Sequence, residues 1–116
     1  MALRKLVEKI TKPVEDRDRE DLDSYCERLG CDRLDALEPR TRVRAAGEIR
    51  SVRIVPRAGA PALEVSVSDG RGSVTAVFLG RRKIQGVSPG RKMVVEGVVS
   101  GTGRSAQIFN PVYTLL

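Results

Sequence analysis

The 116-residue chain has no histidine and no tryptophan, and its only aromatic residues are Tyr25, Phe78, Phe109 and Tyr113. Without histidine it can form neither a Ser-His triad nor a Cys-His dyad. Its two cysteines, Cys26 and Cys31, are too few for a disulfide framework. They also fall short of a zinc site, which needs about four nitrogen or sulfur ligands. Cys26 lies on an apolar helical stripe and is expected to be a core residue. No apolar run approaches the roughly 20 residues that span a bilayer. The first residues are amphipathic and broken by charge, unlike a signal peptide, so the cytoplasm is the expected compartment. The scarcity of rings makes the core aliphatic. It also removes most of the stacking surface on which single-strand binders gain about 1–3 kcal/mol per base.

Acidic residues are scarce in one part of the chain only. Residues 1–40 carry 9 Lys/Arg and 11 Asp/Glu, a net of −2, whereas residues 41–116 carry 12 Lys/Arg and 4 Asp/Glu, a net of +8. The whole chain is formally +6. A basic segment behind an acidic one suggests that the basic part meets a polyanion. Ten of its twelve cations are arginine, which suits planar, bidentate contact with phosphate or bases.

The apolar period changes along the chain. Leu3, Leu6, Val7 and Ile10 make one helical stripe, ended by Pro13. Leu22, Tyr25, Cys26 and Leu29 make a second, with Gly30 at the position of a left-handed C-cap. The spacing predicts helices over 2–11 and 19–29. From Arg40 the period becomes two. Val43, Ala45, Gly47 and Ile49 begin a long first strand running to about Val55, with Gly47 a candidate bulge or sharp bend. Pro56–Pro61 reads as a loop, and Leu63, Val65 and Val67 as a second strand. Asp69-Gly70-Arg71-Gly72 reads as a hairpin turn, followed by a third strand through Val74, Ala76 and Phe78. Gly80–Gly90 holds a short helix or an irregular crossover. Met93, Val95, Gly97 and Val99 form a fourth strand. Residues 104–116 form a fifth, interrupted at Asn110-Pro111. Five strands with a longer insert between the third and fourth is the element order of an OB barrel.

Chemistry-like motifs have simpler explanations. Gly97–Ser105 has one residue too many between its glycines for a phosphate-binding loop, and Arg104 replaces the lysine. Asp69 is explained by its Asp-Gly turn. No acid, base, nucleophile and metal constellation is present, which points to a non-enzymatic protein without a cofactor. The sharpest local feature is Arg81-Arg82-Lys83. At a helix N-terminus these three cations would repel the positive dipole end, and an anion would relieve them. Arg50, Arg53 and Arg57 lie along the end of the first strand and its loop, and Arg104 in the loop between strands four and five. Phe78 and Tyr113 are expected to point into the core, leaving Phe109 as the candidate exposed ring.

These stretches carry a family resemblance. Pro39-Arg40-Thr41-Arg42-Val43, Leu63-Glu64 through Asp69-Gly70, Val77-Phe78-Leu79-Gly80-Arg81-Arg82-Lys83-Ile84, Pro89-Gly90-Arg91 and Ile108-Phe109-Asn110-Pro111-Val112-Tyr113 resemble the small actinobacterial OB-fold nucleic-acid-binding domain proteins. The pattern is also similar to the wedge OB domain of RecG-type helicases. Where the family tends to show tryptophan this chain has Phe78, and where it often shows a basic residue this chain has Val112.

The expected fold is mainly β: a five-stranded OB-fold barrel over 40–116 behind a helical extension over 1–39. Its core should include Val43, Ile49, Leu63, Val65, Val74, Ala76, Val95 and Ile108. The expected function is binding of single-stranded or branched nucleic acid, DNA before RNA, mainly through phosphate. Arg81, Arg82 and Lys83 would form one wall of a groove, with Arg50, Arg53 and Arg57 opposite, Arg104 closing an end and Phe109 as a minor stacking ring. The alternative is a protein-interaction OB domain acting as an adaptor. The N-terminal helices could pack on the barrel, bind a protein partner or self-associate.

Overall fold

The computed structural model describes residues 14–116, with side chains from Leu22 onward. One helix, α1 (Val14–Leu29), precedes six strands: β1 (Arg42–Arg57), β2 (Ala60–Ser68), β3 (Ser73–Leu79), β4 (Lys92–Ser100), β5 (Gln107–Phe109) and β6 (Val112–Leu115). The helix predicted over 2–11 lies outside the described residues. The second begins earlier than the spacing predicted, at Val14, and ends at Leu29 as predicted.

β1 follows from its alternation of apolar and polar residues, and its length lets it serve two partners. Residues Arg42–Glu48 pair with β4, and Glu48–Arg57 with β2. Glu48 faces both Ser68 and Lys92. At this crossing a Cβ on Gly47 would lie 2.2 Å from the Ser68 carbonyl oxygen, so only glycine lets the two backbones approach. The register shift itself falls slightly later, between Ile49 and Ser51, leaving Arg50 as the bulged residue.

The loop expected over Pro56–Pro61 is only a two-residue turn. Ala58 and Gly59 take φ of 49° and 79°, the left-handed pair that suits a tight hairpin. Pairing therefore continues through Pro56↔Pro61 and Arg57↔Ala60. Two prolines face each other where neither needs to donate an N–H across the ladder.

β3 pairs antiparallel with β2 and parallel with β5, and β5 pairs with β4. Five strands thus close a ring, β1-β2-β3-β5-β4 and back to β1, which is OB-like. The expected fifth strand is split. A 3-10 turn, Gly103–Ser105, occupies its start, and Asn110, at φ 47°, breaks it before Pro111. Asn110 donates its backbone N–H to the Val77 carbonyl at 2.7 Å, and its Oδ1 accepts the Leu79 N–H at 2.9 Å. The chain then crosses to pair β6 with β4.

The β3–β4 connection contains no helix. It is an irregular crossover in which Ile84 is buried and Val87 packs against the core. Arg81-Arg82-Lys83 therefore do not crowd a helix N-terminus, and that argument for an anion falls away.

Every position expected in the core lies in one buried cluster, which also takes in Leu34, Phe78, Met93 and Val99. Phe78 meets Tyr113 edge to face, with ring centroids 5.6 Å apart. Tyr113 is not a core residue as expected: on the short final strand it stays 38% exposed.

α1 contacts β1 and β4. Gly30, at φ 77°, donates its N–H to the Cys26 carbonyl at 2.7 Å and ends the helix as predicted. That reversal carries Cys31 back beside Cys26, Cα atoms 5.1 Å apart, and the two form a disulfide. The expectation of Cys26 as a free core residue is corrected. It is half-buried and cross-linked, because a left-handed cap folds the chain back within one turn. Arg44 fastens this end to the ring. Its guanidinium donates to the carbonyls of Leu29 and Gly30 and to Glu96 Oε1, the last at 2.9 Å. Asp32 exchanges hydrogen bonds with the Arg44 backbone. Among the described residues, no helix is long and apolar enough to cross a membrane.

Candidate functional site

The strand registers set one row of residues across four strands: Arg53 faces Glu64, Glu64 faces Val77, and Val77 faces Phe109. Their neighbours Leu63, Val65, Ala76, Phe78 and Ile108 point into the core, so period-two alternation puts this row on the outer face. Arg57 lies on the same side of β1, nearer the hairpin.

Glu64 organises the row. Its side chain is only 8% exposed, although it stands on the outer face. Its Oε1 accepts from Arg53 Nη2 at 3.0 Å, and its Oε2 from Arg57 Nε and Nη2 at 3.2 and 2.9 Å. A carboxylate this covered must be paired, because an unpaired buried charge costs several kcal/mol. The same bonds aim Arg57 so that its Cζ lies 5.5 Å from the centre of the Phe109 ring. Guanidinium over ring is a cation–π contact. Phe109 remains 41% exposed, as the sequence suggested.

The cluster Arg81-Arg82-Lys83 leaves the same end of the ring. The Gly80 N–H donates to the Pro61 carbonyl at 2.8 Å, and Pro61 faces Pro56, next to Arg57. All three cations are exposed, and none pairs with an acidic group among the described residues. The glutamates of the basic part are committed elsewhere: Glu48 to Arg50 and Lys92, Glu64 to Arg53 and Arg57, and Glu96 to Arg44. The fourth acid, Asp69, is used by backbone. Burial pushes its carboxyl up, but N–H donors from Leu34, Gly72 and Arg71 outweigh this and hold it below the usual carboxylate range.

Two of the candidate residues lie apart. The bulge turns Arg50 toward Glu48, 3.6 Å away, at a cleft of about 510 Å³ between α1 and the ring. Arg104 sits with Arg71, Leu34 and Leu37 around a cleft of about 340 Å³. That cleft adjoins the start of β3, a strand's length from Arg81. The sites predicted as one groove therefore separate into a row with Arg53, Arg57 and Phe109, a neighbouring basic loop, and two outlying arginines.

Sequence reasoning missed Glu64. Its signal was the hairpin register, which pairs it with Arg53 once the turn is placed at Ala58-Gly59 rather than over a longer loop. Among the described residues, no three His, Cys, Asp or Glu side chains gather as metal ligands would.

No protein-family profile and no curated protein matches the chain. Seventeen chains of solved structures do. One is the solution NMR structure of a replication factor A related protein from Methanobacterium thermoautotrophicum. It is 17% identical with a TM-score of 0.55, and the match covers 74% of this chain and 90% of that one. The likeness is one of fold: a mainly β chain with an OB-like ring of strands.

Proposed function

We propose that the chain is a non-enzymatic OB-fold module that binds single-stranded or branched nucleic acid, mainly through phosphate contacts. The observation that carries this reading is the pairing of two surfaces at one end of the ring. The exposed Arg81-Arg82-Lys83 loop, without ion-pair partners among the described residues, adjoins the face that holds Arg53, Arg57 and Phe109. Exposed cations supply sequence-independent affinity by releasing counterions from a nucleic-acid backbone. The fold likeness to a replication factor A related protein and the resemblance to actinobacterial nucleic-acid-binding domains point the same way.

A mobility-shift series with single-stranded DNA, duplex DNA, forked DNA and structured RNA at low salt tests the class. Binding of single-stranded or forked DNA ahead of duplex is expected. Failure to shift any of them refutes the reading.

A protein-interaction adaptor is the second reading. It is favoured by Leu79, Phe109 and Val112, which flank the Asn110-Pro111 break and are 46%, 41% and 62% exposed. A reproducible protein partner in a pull-down, together with no nucleic-acid shift, would favour it.

A further inference from the structure

Three cations and two arginines share one end of the ring, yet they are not electrostatically equivalent. Arg81, Arg82 and Lys83 have no ion-pair partner among the described residues. Arg53 and Arg57 are both bound to one carboxylate, which is itself almost fully covered. Glu64 takes one N–H of Arg53, whose side chain stays 68% exposed, and two of Arg57, at 2.9 to 3.2 Å. A phosphate that approaches these arginines meets two cations already half-neutralised by one carboxylate and, on Arg57, must compete with it for the Nε–Nη2 edge. The same bonds fix the guanidinium of Arg57 over the Phe109 ring. With its charge partly offset by Glu64, that guanidinium and the open part of the ring are two planar groups side by side, suited to stacking a base more than to holding a phosphate.

We propose that Glu64 is the specificity-determining residue of this face. By pairing with Arg53 and Arg57 it weakens the hold of both on phosphate, Arg57 most, and it presents Arg57 on Phe109 as a platform for one base. This rests on the reading that the face meets nucleic acid. Phosphate affinity then comes from the Arg81–Lys83 loop, and recognition of an unpaired base comes from the Glu64 row. The wild-type protein should therefore bind a base-bearing oligonucleotide more tightly than an abasic strand of equal length.

The variant Glu64→Gln keeps the shape of the side chain and removes its charge, freeing both guanidinia. Its binding to an oligothymidylate should depend more steeply on salt, by about 0.7 for each phosphate newly neutralised, and so by about 1.4 for two. That corresponds to roughly sevenfold extra loss of affinity between 50 and 200 mM salt. Its preference for base-bearing over abasic strand should shrink. A purely structural role for Glu64 would lower the melting temperature and leave the slope and the preference unmoved.

The companion measurement uses wild-type protein and so does not depend on the variant folding. Tripolyphosphate is added while the arginine Nε–H resonances are followed by NMR. The signals of Arg81 and Arg82 should shift most, Arg53 less, and Arg57, whose Nε–H is held by Glu64, should stay still. The proposal is overturned if Arg57 responds to tripolyphosphate in the wild type as strongly as Arg81 and Arg82, or if folded Glu64→Gln shows an unchanged slope or an unchanged preference. If wild type binds no oligonucleotide, the nucleic-acid reading fails. The tripolyphosphate experiment still decides whether Glu64 masks Arg57.

Discussion

Ala58 and Asp69 show how single residues hold the turns of this molecule. Ala58 sits at φ 49°, a region that costs a residue with a Cβ about 1 kcal/mol or more. Asn tolerates that region and completes the Asn-Gly pair favoured in two-residue hairpins. Ala58→Asn should therefore raise stability by about 0.5–1 kcal/mol, read from the shift in urea midpoint at constant slope. Asp69 accepts N–H groups from Arg71, Gly72 and Leu34 at 2.8, 3.0 and 3.0 Å, tying the β2–β3 turn to the segment before β1. Its pKa is lower folded than unfolded. Its contribution is thus complete above the unfolded value, near pH 4, and is lost as pH falls through the lower folded value. Asp69→Asn should reduce stability at neutral pH and flatten the decline in acid, measured as denaturation midpoints from neutrality down past pH 4. A steeper acid decline in the variant would contradict this. The Asp-Gly turn was legible in the sequence because it is local. Glu64 was not, because its role depends on an arginine eleven positions back that only the hairpin register brings opposite.

The element scale is decided where α1 meets the ring. Arg44 satisfies carbonyls at the helix end, which no intrahelical donor can reach, and pairs with Glu96 on the neighbouring strand. Arg44→Met keeps much of the apolar stem and removes all three bonds. It should cost about 1.5–3 kcal/mol, the range for charged hydrogen bonds. Faster amide hydrogen exchange in the last turn of α1 than in β2 would locate the loss. Reducing the Cys26–Cys31 disulfide should loosen the same corner by about 2 kcal/mol, the low end for a short closed loop. Strand identities were legible because alternation reports which residues face inward, as at Leu63, Val65 and Val67. The interruption at Asn110-Pro111 was legible too, and an irregular β3–β4 crossover was one of the two readings for Gly80–Gly90. The bulge at Arg50 and the choice of a crossover over a helix were not, and both arise from fitting strands around a closed ring. Ring closure imposes them through non-local pairing, and no local periodicity encodes it.

For the whole molecule, closure converges on Ile108. It is fully buried and pairs with Ala76 of β3 and Val99 of β4, so it joins the two halves of the ring. Ile108→Ala should destabilise by about 2–5 kcal/mol in urea, with the slope unchanged if the ring survives. The net charge of +8 over residues 41–116 is legible in the sequence, but its arrangement in space is not. The fold pairs every glutamate of that segment with an arginine or lysine and leaves the Arg81–Lys83 loop exposed to solvent. The most direct test is therefore the salt dependence of single-stranded oligonucleotide binding, for wild type and for the variant with Arg81, Arg82 and Lys83 all changed to Ala. The wild type should weaken steeply with salt. The triple variant should bind every sequence more weakly, with a slope flatter by about 2, or 0.7 for each of three phosphates lost. A folded triple variant with unchanged affinity and unchanged slope would contradict the account.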